Sequence, residues 1–174
     1  ALDEKWNLLM DAGLRYTTSR FTFAEMTSSP PYYVYKYDSN KDWGGVGQLA
    51  LTYKGLKNSG DLRVKHDIMP ASGQSGTAER TTFLGGVNIR LTYEFSGTLN
   101  GGYFMNRSRA GQYSVQQIDE DSIWISPGLI YNYSKDVSFN FSYNYNKTWY
   151  NISRTEAERN LFQVRYRIQH DLFN

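Results

Sequence analysis

Several residue types that carry catalytic or metal-binding chemistry are scarce in this sequence. It contains no cysteine, which excludes a disulfide framework, a thiol nucleophile and a cysteine-ligated metal site. The two histidines, His66 and His170, lie far apart and do not form a metal-binding motif. We therefore expect no metal and no cofactor.

Long apolar runs and a strong charge of one sign are also missing. No stretch approaches the roughly 18 consecutive apolar residues of a membrane-spanning helix. The 19 Lys and Arg residues nearly balance the 17 Asp and Glu residues, so nucleic acid is not expected as a partner. The length of 174 residues predicts one domain, residues 1–174.

Aromatic residues, in contrast, are abundant at 16% of the chain, and they favour β-strands. Apolar and polar residues alternate with a period of two, most clearly where Val87, Ile89 and Leu91 alternate with Asn88 and Arg90. The pattern predicts eight strands, near residues 7–16, 43–53, 61–68, 87–95, 99–105, 123–133, 137–145 and 162–168.

The segments between the predicted strands alternate in length. Short ones lie near residues 55–60, 96–98 and 134–136, and long ones near residues 17–42, 71–80, 110–121 and 151–160. Short turns at one end and long loops at the other are typical of an outer-membrane barrel. The predicted fold class is all-β: an eight-stranded antiparallel up-and-down transmembrane β-barrel with short periplasmic turns and longer extracellular loops.

The composition of the two strand faces indicates which face meets lipid. The polar face is rich in Gly, Ser, Asn and Thr, which suit the narrow interior of an eight-stranded barrel better than a water-exposed surface. The apolar face is aliphatic in mid-strand and aromatic towards the short turns, as at a membrane interface. A soluble ligand-binding barrel, with the apolar face lining its interior, stays open as an alternative.

A polar interior has to neutralise its charged side chains. One pairing register of strands three and four, and one register that joins strand one to strand eight, bring opposite charges together on the polar face. These registers predict three lumen charge pairs: Arg63 with Glu94, Asp67 with Arg90, and Asp11 with Arg167.

With these features the chain resembles the small eight-stranded outer-membrane β-barrel proteins of Gram-negative bacteria, the OmpA/OmpX-type class. The resemblance covers the full length and rests on strand number, alternation, loop asymmetry and a last strand, residues 162–173, close to the chain end. It implies a location in the bacterial outer membrane, with outer-membrane lipid and lipopolysaccharide as partners. Some barrels of this kind are enzymes that modify lipid A.

The leading functional prediction is a non-enzymatic integral outer-membrane β-barrel protein, with a side-chain-filled polar lumen and surface loops for binding or envelope stabilisation. No serine lies two residues from His66, where it would share that strand face, so no catalytic residue is predicted. Three alternatives stay open: a narrow pore for small solutes, a lipid A-modifying outer-membrane enzyme and a soluble ligand-binding barrel.

The first long loop is the candidate surface for recognition. Exposed tyrosines bind a protein or glycan partner, or form an aromatic collar at the outer membrane interface, and both interpretations stay open. An acidic segment, residues 119–121, is expected to be solvated in the third long loop. The predicted recognition residues are Tyr32, Tyr33, Tyr35 and Tyr37, and the alternation of Tyr33, Tyr35 and Tyr37 indicates that the second strand begins here and projects beyond the membrane.

Overall fold

The computed structural model describes residues 5–26, 30, 33–70, 77–108 and 117–169, which form one antiparallel sheet with its strands in chain order. Among these residues no helix has the length and hydropathy to cross a membrane. The prediction of an all-β, eight-stranded, up-and-down fold is confirmed, although the sheet is open, with β1 and β8 at its edges. The strands are β1 (Trp6–Met26), β2 (Tyr33–Lys54), β3 (Asn58–Pro70), β4 (Thr77–Arg90), β5 (Phe95–Ser108), β6 (Ile118–Asn132), β7 (Val137–Tyr150) and β8 (Thr155–Ile168).

Strand pairing brings the apolar residues of all eight strands to one face of the sheet. Leu8, Leu51 and Leu62 are neighbours across β1, β2 and β3, and Phe141 and Val164 are neighbours across β7 and β8. The apolar face consists of the even-numbered residues of β1, β3 and β8 and the odd-numbered residues of the other strands. The remaining strand residues form the polar face, because successive side chains point to opposite sides of a sheet.

The polar face is the more buried of the two. On β6, Ser126 is half-buried, whereas the neighbouring Ile125 on the apolar face is 42% exposed. On β8, Leu161 is half-buried on the polar face, whereas Phe162 on the apolar face is 68% exposed. Side chains shield one another on the concave side of a curved sheet, so we infer that the sheet curves around its polar face.

The strands are inclined to the row of short turns. Consider a line that runs across the sheet from each residue to its register partner on the next strand. At each strand, this line lies one residue further from the short-turn end than it did on the strand before. With about 3.3 Å per residue and about 4.8 Å between strands, this shift gives a tilt of roughly 35°. Residues on the line lie one, two, three, four, five and six positions from a turn, in the order Lys54, Ser59, Asn88, Thr98, Gly128 and Ser142.

A turn interrupts the most regular alternation in the sequence. Residues 91–94 connect β4 to β5, although Leu91 and Tyr93 continue the apolar pattern of β4. The Thr92 hydroxyl accepts hydrogen bonds from the backbone N–H groups of Glu94 (3.2 Å) and Phe95 (3.0 Å). A threonine hydroxyl therefore stabilises this turn, which contains none of the glycine, proline or asparagine residues that usually mark one.

Because the turn comes earlier than predicted, the predicted register of β3 and β4 is wrong. The two charge pairs expected between these strands, Arg63 with Glu94 and Asp67 with Arg90, are therefore not opposite each other in the structure. Arg90 ends β4, where its backbone N–H donates to the carbonyl of Lys57 (2.7 Å). In the actual register, Arg63 lies opposite Leu84, Asp67 lies opposite Arg80, and Glu94 lies in the turn.

The strands at the other end of the sheet are longer than the alternation predicted. β1 extends into the predicted first loop as far as Met26, β2 begins at Tyr33, as the alternation of its tyrosines indicates, and the predicted loop at 151–160 is a turn of four residues, 151–154. Arg154 adopts a left-handed conformation there, with φ of 54°. The acidic segment 119–121 belongs to β6 rather than to a loop. The outer ends of β1, β6 and β8 escaped prediction because polar residues occupy both of their faces.

We predict that a disulfide will form between Ser59→Cys and Asn88→Cys. These residues face each other in the observed register, and facing Cα atoms of antiparallel strands lie within disulfide range. The chain has no other cysteine, so a mobility shift on non-reducing electrophoresis of the folded protein reports this bond alone. The matched control is Arg63→Cys with Glu94→Cys. A disulfide in the control pair, and none in the first, would contradict the observed register.

Candidate functional site: the polar face and its surroundings

A three-residue charge cluster joins β1 to β3 on the polar face. The Arg15 guanidinium lies 2.7 Å and the Lys65 ammonium 3.0 Å from the Asp67 carboxylate. Arg15 reaches across β2 at Gly44, its register partner, which has no side chain to obstruct it and is itself buried. The Asp67 side chain is only 16% exposed, so its two cations compensate for much of its lost hydration.

A second polar row crosses β4, β5 and β6 through three register partners. Arg80 Nε donates a hydrogen bond of 2.7 Å to the Asn106 side-chain oxygen, and the Asn106 amide lies 3.4 Å from the Glu120 carboxylate. Asn106 therefore links a cation and an anion that are two strands apart. Sequence reasoning missed the first cluster because Arg15 and Asp67 are not on adjacent strands, and the second because Arg80 and Glu120 fell in predicted loops.

A recess of about 400 Å³ opens on the polar face between β6 and β8. Trp124, Asn146 and Arg159 are successive register partners along one wall. The Trp124 indole lies over Gly102, where an added Cβ would come within 2.5 Å of Nε1. Gly102 thus makes room for the indole. The recess is lined by Trp124, Asn144, Tyr145, Asn146, Arg159 and Leu161.

The third predicted lumen pair, Asp11 with Arg167, joins the two open edges of the sheet and stays a prediction. Asp11 lies beside Gln48, whose side-chain amide is 3.4 Å from the carboxylate, and Arg167 is paired with Ser138. A shift of one residue per strand, continued over eight strands, would place Asp11 opposite Arg165. The predicted register would place it opposite Arg167.

No protein-family model, curated protein or solved structure matches this chain. The likeness to OmpA/OmpX-type barrels therefore stays a prediction, and the function has to be argued from the chain's own geometry.

A compact rim cluster, Arg107, Asp119, Asp121 and Asn151, lies on the apolar face near the long-loop end. The Arg107 guanidinium binds the Asp119 carboxylate at 3.0 Å and both oxygens of Asp121 at 2.9 and 3.0 Å. The Asn151 amide donates to both carboxylates, at 2.7 and 2.9 Å. Burial works to raise the pKa of the Asp121 carboxyl, but the hydrogen bonds from Asn151 and Arg107 outweigh it and hold that pKa below its ordinary value.

Aromatic rings run across the apolar face beside the short turns. Neighbouring rings lie 4.7 Å apart in the Trp6–Tyr53 and Phe95–Tyr131 pairs. The row continues from Tyr131 to Phe139 and from Phe139 to Tyr166, with centroids 6.4 and 5.1 Å apart. A second aromatic pair, Tyr16 with Trp43, lies ten residues further along β1, at 5.1 Å. The aliphatic part of the apolar face lies between the two levels.

That aliphatic part contains a recess of about 620 Å³ with glycines at its base. Gly60, Gly85 and Gly101 lie on three neighbouring strands, and Leu62 and Ile125 are among its walls. A Cβ on Gly60 or Gly101 would come within 3.2 Å of a backbone carbonyl of the next strand. Close strand packing therefore favours glycine here, and the recess follows from it.

His66 has a hydroxyl partner that sequence reasoning did not identify. Its Nδ1 lies 2.8 Å from the Thr81 hydroxyl, which the corrected register places directly opposite on the apolar face. Across the described part of the chain, no carboxylate hydrogen-bonds to His66 to orient it as a general base. The contact gives one ring nitrogen of His66 and the Thr81 hydroxyl a hydrogen-bond partner.

The predicted recognition tyrosines lie at the start of β2. Tyr33 begins the strand, and Tyr35 and Tyr37 are exposed on the extended β1–β2 hairpin, whereas Tyr32 lies outside the described residues. The structure thus places two exposed phenols at the far end of the longest hairpin. Their role in recognition stays a prediction.

Replacing Asp67 with Asn should lower the free energy of unfolding by about 1–2 kcal/mol, because two cations lose their shared carboxylate while both stay partly hydrated. Urea unfolding of the detergent-folded protein measures this difference. Asp61→Asn is the matched control, on the same strand and face but exposed and, among the described residues, without an ion pair. Equal losses in the two variants would show that the cluster contributes nothing specific.

Proposed function

We propose that this chain forms the wall of a membrane-spanning β-barrel in a bacterial outer membrane, with its apolar face against lipid. The observation that carries the proposal is the exposure of large apolar side chains on the less shielded face of the curved sheet. Met10 is 70% and Leu14 is 79% exposed on that face. Contiguous apolar surface of this extent has to be covered, and acyl chains cover it evenly across all eight strands.

The dimensions of the apolar band agree with this proposal. From Trp6 to Tyr16 the band spans ten residues of β1, about 33 Å along the strand at 3.3 Å per residue. A tilt of roughly 35° reduces this length to a height of about 27 Å, close to the roughly 25 Å of an outer-membrane barrel. The aromatic rows at both ends then lie at the two interfaces.

The soluble ligand-binding alternative requires the opposite curvature. An apolar face that lines a ligand cavity would be the more buried face, and the polar face would meet water. In this sheet Trp124 and Leu161 on the polar face are better shielded than Ile125 and Phe162 on the apolar face. The membrane proposal is therefore preferred.

Beyond the apolar band, the apolar face becomes polar. The rim cluster at Arg107 and the ion pair between Lys147 and Glu156 (2.9 Å) lie at the level expected for lipopolysaccharide headgroups. Tyr35 and Tyr37 lie further out and suit recognition of a protein or glycan partner. These features support a non-enzymatic envelope protein whose outer end binds or stabilises its surroundings.

A pore for small solutes is a second candidate, favoured by one observation. A lumen filled and locked by side chains needs its charges to be paired, yet Arg63 and Arg90 have no carboxylate partner among the described residues. Unpaired cations are stable in water and costly when buried in a dry plug. They therefore favour a hydrated lumen.

Electrophoresis with and without boiling is the direct test of the membrane proposal. The protein refolded in detergent should migrate as a compact band that shifts on boiling, and it should precipitate in buffer without detergent. A closed barrel resists dodecyl sulfate, whereas an open or soluble sheet does not. A protein that is soluble in plain buffer, with no mobility shift, would refute the proposal.

Leu99→Arg should destabilise the protein in lipid vesicles by about 2–4 kcal/mol, the cost of an arginine near the bilayer midplane. Asn100→Arg is the control, since the next residue points to the polar face, where an arginine meets water. Urea unfolding in vesicles gives both free energies. A larger loss from the Asn100 substitution would mean that the two faces are assigned the wrong way round.

A further inference from the structure

The polar face, apart from the outer ends of β1 and β2, carries a surplus of positive charge that the near-neutral chain as a whole does not show. Over residues 7–17 of β1, 44–54 of β2 and all of β3–β8, nine basic side chains project from this face against four carboxylates. The surplus is five positive charges, compared with a net charge of +2 for the whole sequence. The four carboxylates are Asp11, Asp61, Asp67 and Glu120.

One strand contributes a column of arginines to this surplus. Arg159, Arg165 and Arg167 project from the polar face of β8, and within the described chain none of them has a carboxylate partner. Closing the sheet onto β1 does not neutralise the column. Asp11 is the single carboxylate on the polar face of β1 over residues 7–17, and either closing register pairs it with only one arginine.

Arg159 lies beside side chains that can donate hydrogen bonds. It lines the 400 Å³ recess together with the amides of Asn144 and Asn146 and the indole of Trp124. The guanidinium and indole N–H groups only donate, whereas each amide offers both an N–H donor and an acceptor oxygen, so the positive charge of Arg159 is what makes the recess favour a partly dehydrated anion over a cation. None of the four carboxylates on the polar face is among the residues that line the recess, and Asp67 is bound by Arg15 and Lys65.

We propose that the polar face lines a water-filled lumen that conducts small anions, with Arg159 at the point of closest contact. The inference rests on the proposed membrane barrel. It also states which small solutes the pore, our second candidate function, would carry. Cations are repelled by the surplus charge along a low-dielectric wall, which focuses the field on the lumen. Anions exchange water for the donors of the recess and leave again, because no single site surrounds them.

The test is the reversal potential of the refolded protein in a planar lipid bilayer under a potassium chloride gradient. The unmodified protein should give the sign expected for chloride permeation. The triple variant Arg159→Glu, Arg165→Glu and Arg167→Glu turns the surplus of five positive charges into a surplus of one negative, and the sign should reverse. The triple lysine variant at the same positions keeps the charge and should keep the anion preference.

The possible outcomes separate this inference from the membrane proposal. Each variant is first examined for its mobility shift on boiling, so that only folded barrels are compared. A folded, heat-modifiable protein that does not conduct, or that prefers potassium, would overturn the anion inference and leave the membrane barrel intact. Failure of the unmodified protein to insert at all would overturn both. Loss of anion preference in the lysine variant would assign the effect to shape rather than charge.

Discussion

The molecule depends on one constraint: at each of the seven strand interfaces the pairing register stays the same along the whole interface, so that each face of one strand continues into the same face of the next. A slip of one residue at any interface would exchange the two faces of every later strand. Because no interface slips, Leu8 at one edge and Val164 near the other lie on the same apolar surface, and Asp67 and Arg159 share the polar one. The apolar band, the charge clusters and the recess at Trp124 all follow from that single continuity.

The period-two pattern was sufficient to predict the number of strands and, through parity, the membership of both faces, and the alternation of short and long connections predicted the up-and-down order. Register also depends on where a turn begins, and alternation carries no information on that. Leu91 and Tyr93 look like strand residues, yet the Thr92 hydroxyl closes a turn around them. Opposite charges did not correct the error, since a register that is wrong by an even number of residues still joins plausible pairs. The Arg15–Asp67 contact was invisible for another reason, as it crosses an intervening strand at Gly44.

Charge is divided between the two faces in a way that composition conceals. The basic surplus lies on the polar face, whereas the rim of the apolar face is dominated by carboxylates such as Asp119, Asp121 and Glu156, held by Arg107 and Lys147. A near-neutral sequence thus folds into two surfaces of opposite sign. The near-zero net charge of the sequence indicates that the protein as a whole does not attract anions. That inference holds for the exterior but not for the concave face, where the basic side chains are concentrated.

The open edges of the sheet bear directly on the membrane proposal. Within a bilayer no water satisfies the backbone N–H and C=O groups of an edge strand, so β1 and β8 have to pair with each other or with further strands. The shift of one residue per strand is compatible with self-closure. Continued around eight strands, it brings the polar face of β8 onto that of β1, with Asp11 opposite Arg165 and with the strand tilt unchanged. A larger barrel has the same tilt but would carry Asp11 away from the arginine column. The partner of Asp11 is therefore the residue-level difference between a closed eight-stranded barrel and a sector of a larger one.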